Sequence, residues 1–213
     1  MASVFTPRAN LIARASLAGL VAALAAAAVF AYGYAHSPYS TGVGIEIDQP
    51  VPFSHEHHVA GLGIDCRYCH TSVEDSAFAG MPATQTCMHC HAKVWTDAAM
   101  LAPVRESWRR EVPIRWRRVH DLPGFVYFDH SIHVAKGIGC VTCHGRVDQM
   151  RLMRKAETLH MRWCLDCHRN PEPHVRPVDK VFDLAWQRPD DAAPPEEPPE
   201  RPATLTDCSA CHR

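Results

Sequence analysis

The sequence predicts a mostly irregular chain with short α-helices, preceded by one transmembrane helix at its amino end. Three observations lead there. All ten cysteines fall in Cys-x-x-Cys-His motifs, of which there are five. The stretch from Ala15 to Tyr34 carries no charge. From Ser40 onward only about 35 residues remain for each motif, too few to wrap each attached group separately, so the groups must pack on one another and largely replace an apolar core.

The five motifs begin at Cys66, Cys87, Cys140, Cys164 and Cys208. This pattern is the attachment site of a c-type haem. Its two thiols, Cys66 and Cys69, Cys87 and Cys90, Cys140 and Cys143, Cys164 and Cys167, Cys208 and Cys211, would form thioethers. The histidine that follows, His70, His91, His144, His168 or His212, would become the proximal iron ligand. Structural zinc does not require a histidine directly after the second cysteine, and disulfide chemistry does not ask for one either. A thioredoxin-like redox pair would occur once. Five covalently bound haem c groups are therefore expected.

Twenty residues at about 1.5 Å each span about 30 Å, the thickness of a bilayer's hydrocarbon core. Arg8 and Arg14 precede the stretch, and the next basic residue is Arg67. The positive-inside rule then puts the amino terminus in the cytoplasm and the haem-bearing part on the periplasmic, outer side of a bacterial inner membrane. The stretch exceeds the usual signal-peptide core, so a retained anchor is expected rather than a cleaved leader. The formal net charge of −1 over 213 residues argues against a nucleic-acid partner.

An internal repeat organises the rest. Phe53-Ser54-His55-Glu56-His57-His58-Val59 leads through Gly63-Ile64 to the first motif, and Phe128-Asp129-His130-Ser131-Ile132-His133-Val134 leads through Gly137-Ile138 to the third. A further motif follows each, which suggests one di-haem module used twice. The expected divisions are 1–36 for the cytoplasmic end and anchor, 37–100 for the first di-haem module and 101–119 for a basic Trp/Arg connector. The second module takes 120–172, a proline-rich acidic strap or linker 173–203, and the fifth attachment segment 204–213. Residues 95–120 read as one or two helices whose arginines suit haem propionates, an acidic partner or plain solvent. Nine of the 17 prolines lie in 171–203, which rules out a packed helix or sheet there.

Each iron needs a sixth ligand, and ten histidines remain. Positions i and i+3 of a helix share a face, so one short helix carrying His-x-x-His can serve two irons. This selects His55 with His58 and His130 with His133. His120 is the fifth choice. His89 lies inside a motif, His57 points off its neighbours' face, and His36 sits at the membrane edge. His160, His174, Met150 and Met161 stay open as alternatives, because methionine also caps such irons and sets their potential.

The Phe-x-His-x-x-His module followed by CxxCH resembles the multihaem cytochromes c3 and c7. That resemblance implies that His55 caps the haem of His70 and His130 that of His144, with His58 and His133 reaching other haems. The anchor, the order of the motifs and the segments GIDCRYCHTS, CMHCH, RVHDLPGFVYFDHSIHV, GCVTCHGRVDQM and WCLDCHRNPEP are similar to the pentahaem subunit of alternative complex III, a bacterial quinol:electron acceptor oxidoreductase. This implies an iron–sulfur subunit, polytopic quinol-binding subunits and a monohaem cytochrome or terminal oxidase as partners. It also implies electron relay with no substrate chemistry on this chain. Two rivals remain: a stand-alone membrane quinol dehydrogenase, and a periplasmic c3-type storage cytochrome. The span holds no His, Asp or Glu, so it offers quinol no proton relay of its own.

Overall fold

The computed structural model describes residues 6–189 and 203–212. The chain divides at Gly42/Val43 into two units. The first holds α1 (Pro7–Ala35) and the single turn α2 (Pro38–Thr41). From Arg8 to Ala35 helix α1 is long and apolar enough to cross a membrane, with none of its most apolar stretch buried inside the protein. His36 closes it, its ring stacked on Tyr32 at 4.1 Å.

The second unit is built from short helices: α3 (Cys66–Cys69), α4 (Thr84–His91), α5 (Ala102–Arg110), α6 (His130–Ala135), α7 (Cys140–His144), α8 (Met161–Arg169) and α9 (Cys208–Cys211). A π-helical turn spans Glu56–Gly61. No β-strand forms among the described residues, only isolated bridges such as Val43 to Lys155 and Ile138 to Val175. Local sequence starts and stops these elements. The Asp65 side chain accepts from Arg67 N–H at 2.8 Å to cap α3, and Asp129 accepts from Ser131 N–H at 2.9 Å to cap α6, each satisfying an otherwise orphaned donor. Helix α5 ends where Glu111 turns left-handed and Pro113 follows. Residues 112–118 are therefore not helical, and Ile114 and Trp116 turn inward instead.

Two small apolar clusters hold the second unit. Val51, Leu101 and Val104 pack with Cys87, Met88, Ala98, Ile114 and Trp116. Val73, Val134 and Val181 pack with Ala79, Cys140 and Phe182. Helices α4 and α5 are further tied by a 2.6 Å hydrogen bond between the Thr84 and Ser107 hydroxyls. Most of the connector's arginines are engaged within the chain. Arg105 donates to the carbonyls of Thr96 and Ala98, Arg109 and Arg110 pair with Glu106, and Arg118 pairs with Asp121.

The proline-rich segment is ordered as far as it is described. Residues 171–189 form short 3-10 turns at Glu172–His174 and Val178–Lys180. They lie along the second repeat: Arg176 N–H donates to Gly137 O at 2.9 Å, and Val181 O accepts from Cys140 N–H at 3.2 Å. Val181 is fully buried. The remainder of the expected strap, residues 190–202, lies outside the described residues.

Candidate haem-attachment sites

Each of the five motifs forms one helical turn or the end of a helix, so its two cysteines, three residues apart, share a face with the histidine beside them. None of the ten thiols is in a disulfide. Burial pushes the Cys140 thiol up to about 11 and Cys143 up to about 12.

Four of the five motif histidines are oriented by main-chain carbonyls. Nδ1–H donates from His70 to Gly80 O at 2.8 Å, from His91 to Val94 O at 3.1 Å, from His168 to Leu205 O at 2.8 Å, and from His212 to Phe125 O at 3.2 Å. A carbonyl can only accept, so the proton sits on Nδ1 and the Nε2 lone pair is left for a metal, the usual arrangement of a ligating histidine. The His144 ring lies largely within the chain. Burial holds it at about 3, well below its ordinary value, with His120 and His130 adding to the effect.

The two copies of the repeat adopt one geometry. Phe53 stacks on His58 at 4.3 Å and meets His55 edge-on at 4.9 Å. Phe128 stacks on His133 at 4.4 Å and meets His130 edge-on at 4.8 Å. His58 Nδ1–H donates to Ser54 O at 2.8 Å, and His133 Nδ1–H to Asp129 O at 2.7 Å. In each copy the phenyl ring stacks on one imidazole and meets the other edge-on.

These histidines face motif histidines at a telling separation. Two imidazoles on opposite sides of one iron, each with a metal–nitrogen bond of about 2 Å, have ring centres about 6 Å apart. His58 and His91 are 6.3 Å apart, His130 and His144 6.3 Å and nearly parallel at 10°, and His133 and His168 6.2 Å. His55 is buried beside His70: burial, then the charges of His70 and His58, lowers it to about 4, and its Nδ1 has no hydrogen-bond partner. His120 stands beside His144 rather than across from it, with ring centres 4.3 Å apart and edge-on at 74°. Its buried Nε2 has no hydrogen-bond partner, and burial followed by Lys155 holds it at about 4.

The other histidines have different surroundings. His57 stacks on Trp95 at 5.7 Å, and His89 Nδ1 shares a 2.9 Å hydrogen bond with the Tyr68 hydroxyl. His36 Nδ1 meets Tyr32 O, and the ring contact of His212 is with Phe125. His160 is exposed at the start of α8, and His174 is half-buried. Met150 is buried, whereas Met161 is 60% exposed. Sequence reasoning missed the orienting groups, Ala77, Gly80, Val94 and Leu205, because they act through carbonyls that every residue type carries. Only the phenylalanine of the repeat left a signal.

The residues present fit covalent haem. Rings held through Nδ1–H leave Nε2 directed away from the carbonyl for a metal. Apolar side chains that a core would normally cover are exposed near the motifs: Leu62 60%, Phe78 55%, Met81 53% and Ile132 57%. A flat apolar macrocycle is what would cover them.

Residues 126–213 match the family described as cytochrome c7 and related cytochrome c. Over 98 residues the chain is 36% identical to a menaquinone reductase, multiheme cytochrome c subunit, of Nitratidesulfovibrio vulgaris, covering 46% of either chain. The chain thus spans about half the length of that relative. Over residues 126–213 the architecture is c7-like, and that family implies covalently bound haem c.

Proposed function

We propose that this chain is a membrane-anchored pentahaem cytochrome c that relays electrons between a quinol-oxidising membrane complex and a downstream cytochrome or terminal oxidase. The observation that carries the reading is the set of three imidazole pairs at two-ligand spacing. Irons closed on both faces exchange electrons and leave no position for a substrate. Bound haem c supplies a reversible one-electron couple.

The chain's own residues do the rest. Each cysteine pair would fix one edge of a haem, and the following histidine would hold its iron. His55 would cap the iron of His70, His58 that of His91, His130 that of His144 and His133 that of His168. His120, with its unpartnered Nε2, is retained as a candidate ligand for an iron other than that of His144. Main-chain carbonyls hold Nδ1 of His58, His70, His91, His130, His133, His168 and His212 and keep those rings in one orientation. Helix α1 would tether the unit to the membrane, with the haems on the outer side.

The resemblance to the pentahaem subunit of alternative complex III supports a quinol-oxidising partner complex with iron–sulfur and polytopic quinol-binding subunits. The relative's name supports a second reading, in which electrons run the other way, into menaquinone. Both place the quinone site on a partner.

Mild detergent extraction at native size, followed by mass spectrometry, tests the assignment. Iron–sulfur and polytopic subunits should accompany the chain. Adding a menaquinol analogue should then reduce the haems; reduction only by a reduced soluble cytochrome, with quinone consumed, selects the reverse direction. A chain recovered alone in the membrane and reduced directly by quinol would be a stand-alone dehydrogenase. A chain recovered alone in the soluble fraction would be a storage cytochrome.

A further inference from the structure

We propose that the five attachment motifs stand in one unbranched row in the order second, first, third, fourth, fifth, so that the motifs of Cys87 and Cys208 are its two ends. This deepens the relay reading and rests on it for its functional meaning. The order differs from that of the sequence, and each step has its own contacts.

The second and first motifs are joined through their middle residues, since the hydrogen bond between Tyr68 and His89 links the x positions of one to those of the other. The π-helical turn spans the same step: His58 faces His91, while His55 lies by His70. The first and third are joined by the loop after His70. His130 donates from both its main-chain N–H and Nδ1 to Ala77 O, and Ser131 N–H donates to Ser76 O. Val73, three residues past His70, shares an apolar cluster with Val134, Val181 and Cys140.

The third and fourth are joined by α6, whose His130 faces His144 and whose His133 faces His168. A single helical turn therefore spans both. The fourth and fifth are joined by the Ala203–Thr206 turn, which packs on α8 and α9 and whose Leu205 O accepts from His168 Nδ1–H. Tyr127 N–H also donates to Cys211 O at 2.7 Å, next to the Phe128 ring that stacks on His133.

Among the described residues, no hydrogen bond or ring contact joins the second motif to the third, fourth or fifth.

The ends of the row are open to solvent. Cys90 and Cys208 are the two exposed cysteines, and Trp95, stacked on His57 beside the second motif, is 55% exposed. Partners that deliver and collect electrons would therefore meet the chain at the second and fifth motifs, with the third at the midpoint.

Iron positions in the holoprotein complex, located by anomalous scattering at the iron edge and assigned by continuous density to each motif, test the order. The expected nearest-neighbour pairs are second–first, first–third, third–fourth and fourth–fifth, with one near neighbour for each end iron. Two near neighbours at the second motif's iron, or a fifth iron nearest to the first or second, overturns the proposal. Iron positions do not depend on electron flow. The expected order in a complex that quinol and acceptor both fail to titrate would refute the relay and leave the row standing.

Discussion

Gly63 and Gly137 occupy the same place in the two copies of the repeat, three residues before the first cysteine, and both are left-handed, with φ of 68° and 77°. An alanine at either should cost about 1–2 kcal/mol in backbone strain. Their surroundings differ. A methyl group on Gly63 would meet nothing within 4 Å, whereas one on Gly137 would drive into the carbonyl of Arg176. To make room, the strap must move. It would lose the Arg176 N–H to Gly137 O bond, worth about 1 kcal/mol, and loosen the fully buried Val181, whose burial is worth about 1.5–3 kcal/mol. Gly137→Ala should therefore cost about 3.5–6 kcal/mol in all. For a chain of this size each kcal/mol shifts the unfolding midpoint by about 2–4 °C. Thermal unfolding followed by Soret absorbance should show a drop of about 2–8 °C for Gly63→Ala and about 7–24 °C for Gly137→Ala, with a matching fall in haem per chain for the latter. Midpoints within about 2 °C of one another would show that the strap does not brace the second repeat, and the packing argument would fail.

Replacing His58 with Ala should convert a single haem from low-spin to high-spin, while His57→Ala should leave every spectrum unchanged; the reverse pattern would overturn the ligand assignment. His130→Met should likewise perturb one haem only, seen as one altered potential in a redox titration. Val181→Ala should destabilise the holoprotein by about 2 kcal/mol, measured as a shifted denaturation midpoint. His55 and His120 are held at about 4 by burial, against 6.5 when unfolded. Ligation to iron would hold them lower still, so below pH 6.5 the unfolded chain binds more protons than the folded one, and stability should fall as pH drops from there and return as it rises. A flat unfolding midpoint from pH 7 to 4 would contradict this.

Much of the fold was legible because its cause is chemical and local. The CxxCH motif needs its residues at fixed spacing, an apolar stretch of bilayer length is visible without structure, and Phe-x-His-x-x-His-Val is a repeat in plain sight. The pairings across space were less accessible. Nothing in the residue between Ser76 and Phe78 marks Ala77 as the acceptor for His130, since any residue would offer the same carbonyl. His120 was the fifth choice among the histidines, and nothing in its sequence neighbourhood carries information about its edge-on approach to His144. Val181 sits in a stretch whose prolines announce irregular backbone, and irregular backbone can still be core. Residues 112–118 fall in the stretch 95–120 read as one or two helices, but Pro113 and the left-handed Glu111 set a non-helical path on which Ile114 and Trp116 turn inward.

The bonds from imidazole Nδ1 to main-chain carbonyls carry a consequence for how this chain tolerates change over generations. A carboxylate partner can be lost by one substitution, but a carbonyl cannot be mutated away. The ring orientation of His70, His91, His130 and His168 is written into the path of the backbone, so side chains around the irons are free to drift. Such drift would retune potentials by changing polarity and burial while the ligand geometry stayed fixed. A row of centres built this way can be adapted to new donors and acceptors one neighbourhood at a time.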